Sequence, residues 1–180
     1  MLKRTLFLLL ACTAPVLAQK PAAKPPTITP TASARMLWED VRNYVTQAAD
    51  DFPEAKFDFR PTPDVRTFGE LIAHVAGAQQ MFCAIALGEK VPDEGAVQKA
   101  TKTKADLVKA LAASNTYCAH AYAQSEARST AMVELFGEKR PVLFVLLENA
   151  THDNEHYGNI VTYMRMNGMV PPSSKPRPGG

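Results

Sequence analysis

The sequence predicts an all-α four-helix bundle with a long last helix and disordered tails at both ends, and three observations carry that prediction. Apolar residues recur at three- and four-residue steps in four long stretches. Helix-stopping Pro and Gly residues fall between those stretches, and no convincing alternation of apolar and polar residues is left to build a sheet. The chain has 180 residues, 46% hydrophobic and 21% charged. That is enough to bury one core without relying on disulfides and too little for a second full domain. No stretch reads as a mature membrane-crossing helix and none repeats, which sets aside stable membrane insertion, coiled coils and solenoids.

The N-terminus reads as an address rather than as part of the bundle. Lys3 and Arg4 precede the apolar run Thr5 to Ala14, and Val16-Leu17-Ala18 ends on small residues, so residues 1–18 are expected to be a signal peptide cleaved after Ala18. The rival reading, a lipoprotein signal at Cys12, leaves a very short apolar region and a Leu in an unfavoured position. The expected location is therefore periplasmic or extracellular. Residues 19–33, rich in Pro, Ala, Lys and Thr, read as a flexible linker, residues 34–172 as the bundle and residues 173–180 as a disordered tail. Of 20 Lys+Arg and 18 Asp+Glu, the signal carries two bases and no acid, so the mature chain is balanced. Its bases are scattered among acids, which gives no electrostatic case for nucleic acid.

Each helix has its own signature. Ala34, Leu37, Val41, Val45, Ala48 and Phe52 form the stripe of a first helix that ends before Pro53. Thr67 and Glu70 make a capping box for a second, with Phe68, Leu71, Val75, Phe82 and Ile85 on its stripe and Gly88 at its end. A third begins near Thr103 and buries Leu107, Leu111, Tyr117, Cys118 and Ala121. Thr130 to Phe136 reads as a short strand or an irregular loop. The fourth helix starts at Pro141 and stops at Gly168, with Leu143, Leu147, Ala150, Tyr157, Val161 and Met164 on its stripe; its roughly 26 residues span on the order of 40 Å.

The chemistry gathers on histidine. His152 and His156 lie one turn apart on the fourth helix, so their imidazoles leave one face and can share a metal ion. Spacing alone also fits a solvated pair, but the neighbouring Leu, Ala, Tyr, Ile and Val residues place this pair toward the core. His74, amid Leu71, Ile72, Val75 and Ala78, is the candidate third ligand; its alternative is a core histidine bonded to a carbonyl or carboxylate. His120 reads as a surface or packing residue. Three neutral imidazoles suit zinc, nickel or iron(II) alike, and binding is expected to weaken as pH falls below roughly 6.5, where free imidazole protonates.

His152-Asp153-Asn154-Glu155-His156 also matches the inverted zinc-protease pattern H-x-x-E-H. That pattern needs a further acidic ligand downstream, and residues 157–180 contain neither Asp nor Glu. Glu155 and Asp153 are kept as candidate catalytic groups, each either a base or a hydrogen-bond acceptor behind a ligand. Cys83 and Cys118, the two cysteines of the mature chain, are either a disulfide between the second and third helices or two small buried hydrophobes.

Two blocks of sequence are similar to one family. Phe52-Pro53-Glu54-Ala55-Lys56-Phe57-Asp58-Phe59-Arg60-Pro61 followed by Arg66 to Val75 resembles the entry to the second helix of DinB/YfiT-like proteins. His152, His156, Tyr157, Gly158, Ile160, Val161, Tyr163, Arg165, Asn167, Gly168, Val170 and Pro171 resemble that family's last helix and its closing turn. The resemblance, which covers Ala34 to Pro172, implies a metal-binding four-helix bundle with one His from the second helix and two from the last, mapping onto His74, His152 and His156. It implies no single reaction, since the family includes thiol-dependent transferases and isomerases alongside members without an assigned activity. The export signal argues against a reaction that needs a cytosolic thiol. The expectation is a metal-dependent transferase or hydrolase acting on a small molecule outside the cytoplasm, with a non-catalytic metal- or ligand-binding bundle as the alternative; a homodimer is left open.

Overall fold

The structure, a computed structural model, describes residues 28–176. Helix α1 (Pro30–Asp51) is opened by Thr29, whose hydroxyl accepts from the Ala32 amide, with Pro30 as first helical residue. It begins before the apolar stripe does, so the linker expected to reach residue 33 extends no further than residue 29. Leu37, expected inside, is 54% exposed, and Trp38 takes its place in the core. Helix α2 (Phe68–Leu87) carries the predicted capping box of Thr67 and Glu70 and ends at Gly88 with φ 77°. Short helices α3 (Ala96–Ala100) and α5 (Glu126–Ser129) flank α4 (Lys104–Tyr122), whose capping box is Thr103 and Asp106.

The uncertain stretch before the last helix is a hairpin. Strand β1 (Met132–Leu135) pairs antiparallel with β2 (Glu138–Pro141), Leu135 opposite Glu138, across a Phe136-Gly137 turn in which both residues have positive φ. Helix α6 (Val142–Met166) follows directly. Its buried side is Val142, Val145, Leu146, Asn149, Ala150, Asp153, His156 and Tyr157 onward, so Leu146 and not the predicted Leu147 faces inward.

Helix α1 packs against α6 and α4, and α2 packs against the same two, so α1 and α2 stand diagonally opposite in the bundle. The segment between α1 and α2 crosses the end of the bundle and is fastened by aromatic rings: Phe52 stacks on Phe68 at 3.7 Å and Phe57 meets Phe68 edge-on at 5.2 Å. Lys104 donates to the carbonyls of Asp50 and Phe52, satisfying the open end of α1. Contrary to the sequence expectation, α2 is long and apolar enough to cross a bilayer by length and composition, and it is mostly buried inside the bundle. The start of the predicted tail is also ordered: the Ser173 amide donates to the Tyr157 hydroxyl at 2.9 Å and Lys175 pairs with Asp51.

The core has two apolar halves. One surrounds Phe52, Phe68 and Met164, the other Trp38, Phe82 and Leu146. Buried polar side chains join the helices in a chain of hydrogen bonds: Trp38 Nε1 donates to Gln79 Oε1 at 2.9 Å, Gln79 Nε2 donates to Asn115 Oδ1 at 3.2 Å, and Asn115 Nδ2 donates to Thr46 Oγ1 at 3.1 Å. Within this chain of bonds, each side chain that would be costly to bury alone has a partner. Cys83 and Cys118 form a disulfide that ties α2 to α4.

Candidate metal centre

Helix α2 presents His74 and α6 presents His152 and His156, one turn apart, to the same point. The three Nε2 atoms form a nearly equilateral triangle: 3.0 Å from His74 to His156, 3.2 Å from His74 to His152, and 3.1 Å from His152 to His156. These are the three residues singled out in the sequence, and they are the one histidine-, cysteine- or carboxylate-based cluster of metal-ligating geometry among the described residues. His120 is exposed near the end of α4 and takes no part.

The protonation states suit a cation. His74 Nδ1 donates to Glu94 Oε1 at 2.9 Å, which leaves the Nε2 lone pair directed at the other two rings. Burial, reinforced by the charges of Arg66 and of the other two histidines, pushes His74 down to about 3. Burial, with His152 and Arg66 also contributing and Glu155 opposing, pushes His156 down to about 4. The two rings therefore stay neutral well below the pH of 6.5 expected from free imidazole. At a nitrogen–metal distance of ~2.0–2.1 Å, an ideal octahedral face has edges of ~2.9 Å and an ideal tetrahedral face ~3.3 Å. The observed edges lie between, so the donor set fits a divalent ion and leaves zinc, nickel and iron undistinguished.

The two candidate acids have different surroundings. Asp153 is fully buried, and its Oδ1 lies 3.8 Å from His152 Nδ1, an electrostatic attraction too long for a hydrogen bond. Neither of its oxygens has a hydrogen-bond partner, and burial raises it to about 6 against the pull of His152. Glu155 is exposed on α6 and bonds to none of the three rings. Of the two, Asp153 is thus the one placed behind a histidine.

Three residues of the site escaped the sequence reading. Glu94 is one, and Gly77 is what admits it: a Cβ at Gly77 would overlap the Glu94 carbonyl oxygen, so only glycine lets the segment after α2 close onto His74. A glycine three residues beyond His74, inside an otherwise good helix, was the available signal. Arg66 is the third. It precedes the cap of α2, its carbonyl accepts from the Tyr163 hydroxyl at 2.6 Å, and it lines a cleft of about 770 Å³ onto which His156 opens. On the other side Phe82 lies 5.6 Å from the His152 ring, with Phe136 of the hairpin turn against it at 6.1 Å.

The sequence model of the DinB superfamily matches residues 37–160. No curated protein matches the sequence. Among solved structures, a DinB-like protein from Bacillus cereus ATCC 10987 is 18% identical with a TM-score of 0.68, the match covering 77% of this chain and 93% of that one. A DinB-like protein from Bacillus subtilis is 19% identical with a TM-score of 0.64, covering 81% and 99%. The mycothiol-dependent maleylpyruvate isomerase is 19% identical with a TM-score of 0.61, covering 75% of this chain and 61% of the isomerase. At these identities the likeness is one of fold.

Proposed function

Because the chain belongs to the DinB superfamily and its three histidines converge, we propose that it binds a divalent metal ion through His74, His152 and His156 and acts as a metal-dependent enzyme, a transferase or hydrolase, on a small molecule outside the cytoplasm. The observation that carries this reading is the triangle of Nε2 atoms with its tautomer set by Glu94. A divalent ion there supplies Lewis acidity and lowers the pKa of a bound water or thiol. The chain's own residues do the rest. Glu94 orients His74, burial keeps His74 and His156 unprotonated, Asp153 provides negative charge behind His152, and the cleft beside His156 admits a ligand.

Three protein donors favour turnover over storage, since they leave coordination positions to be filled from the cleft. Export is supported by the signal-like first 18 residues, which lie outside the described ones, and by the disulfide, which suits an oxidising compartment. Sequencing the mature protein from its native host is expected to give a start at Gln19; an intact Met1 in the cytosol would contradict export.

The metal reading is tested by cobalt substitution followed by titration with azide. Cobalt uptake with a visible spectrum that shifts on adding azide is the expected result. Failure to take up cobalt would refute the metal site, and uptake with no response to azide would favour the non-catalytic bundle.

A further inference from the structure

The cleft beside the histidines has a chemical bias that the metal reading does not itself require. It runs between α6, which contributes His156, Asn159, Thr162 and Tyr163, and the segment leading into α2, which contributes Thr62 and Arg66; Gln98 of α3 also reaches it. Its volume of about 770 Å³ suits a small organic molecule. The polar lining is mostly uncharged amide and hydroxyl. Its charged residues are Asp64 and Arg66.

Arg66 is anchored through its backbone, and its side chain is exposed. The Tyr163 hydroxyl donates to the Arg66 carbonyl at 2.6 Å, which anchors the residue's backbone to the same helix that carries His152 and His156. The neighbouring Arg60 is engaged by Glu70 at 3.7 Å, whereas Arg66 has no carboxylate within ion-pair distance among the described residues. Arg66 is exposed on the wall of the cleft that His156 also lines, so its charge is open to a ligand bound there.

We propose that this cleft binds a small organic oxyanion, a carboxylate or a phosphate, with Arg66 as its anchoring residue and the anion bridging the space between Arg66 and the three-histidine cluster. This deepens the metal reading and rests on it for the second half of the bridge. A planar guanidinium offers two parallel N–H donors to a carboxylate or phosphate, while Asn159, Thr162 and Gln98 offer neutral donors around it. Arg66 is a substrate-binding residue in this scheme and contributes nothing to holding the metal.

The test uses the intact mature chain, with and without zinc, and follows amide chemical shifts during titration with succinate, inorganic phosphate and the neutral succinamide. Succinate or phosphate is expected to shift amides of residues 62–66 and 156–163, and zinc to tighten that binding. Arg66→Gln is expected to weaken anion binding by ~10-fold or more, Arg66→Lys to restore part of it, and Arg66→Gln to bind zinc at least as tightly as the wild type. Succinamide binding as well as succinate, or equal anion affinity in Arg66→Gln and the wild type, would overturn the proposal. So would binding of neither anion. If zinc fails to bind while the anions still depend on Arg66, the metal reading falls and the anion site stands; if zinc binds and the anions ignore Arg66, the reverse holds.

Discussion

At the scale of single residues, the site depends on which ring nitrogen carries a proton. Glu94 accepts from His74 Nδ1 and so fixes the tautomer that frees Nε2. Glu94→Gln can leave the fold intact while presenting either a weaker acceptor or a competing donor; its divalent-ion affinity is expected to fall by ~10–100-fold in calorimetric titration, with an unchanged circular dichroism spectrum. Equal affinity would mean that Glu94 does not orient the ring. The buried titratable groups also give the metal-free protein a pH signature. His74 and His156 are depressed to about 3 and about 4, so from pH 6.5 downward the unfolded chain takes up protons that the native one refuses, and stability falls with pH. Asp153, raised to about 6, works the other way between about 6 and 3.8, where the native state holds the extra proton. For these three groups together the two histidines outweigh the one carboxyl, so stability is expected to keep falling as pH drops from about 6.5 to about 4, and urea titrations at stepped pH check the slope.

At the scale of elements, the sequence was most legible where local chemistry dictates geometry. The capping boxes at Thr67 and Thr103 and the left-handed stop at Gly88 stand where the residues imply them, because a cap is decided within one turn. The stripes are less legible. Leu37 and Leu147 lie outside and Trp38 and Leu146 inside, since adjacent apolar residues on a helix compete for the core and only the partner helices decide between them. The hairpin is hidden in the sequence because Phe136 adopts φ 52°, a conformation that bulky residues disfavour and that Asn-Gly turns usually supply. Phe136 is 73% exposed, so relief of backbone strain should outweigh its edge-on packing against Phe82. Phe136→Asn is expected to stabilise the protein by ~0.5–1 kcal/mol in denaturant unfolding. Gly77 is the opposite case. Gly77→Ala gains helix propensity, yet its Cβ would displace the Glu94 backbone, so it should destabilise by roughly 1–3 kcal/mol and weaken metal binding as well. A more stable Gly77→Ala variant with wild-type affinity would contradict that close approach.

At the scale of the molecule, the bundle brings together residues 78 and 82 positions apart in sequence, and that convergence was legible only as an inference from His74 sitting amid apolar neighbours. Glu94 and Arg66 gave no such sign, because they lie in connecting segments whose path depends on how the helices pack. The disulfide between Cys83 and Cys118 closes a loop over a sequence separation of 35. Replacing both residues by Ser is expected to cost about 3–4 kcal/mol by restoring freedom to the unfolded chain, read as a lower denaturation midpoint than that of the oxidised protein. The most direct test of the account is the metal content of the mature protein and its four single His→Ala variants, prepared side by side and weighed by native mass spectrometry after equilibration with one divalent ion. The account predicts one ion per chain in the wild type and in His120→Ala, and its loss in His74→Ala, His152→Ala and His156→Ala. An empty wild type, or a His120→Ala variant that loses the ion while His74→Ala keeps it, would contradict it.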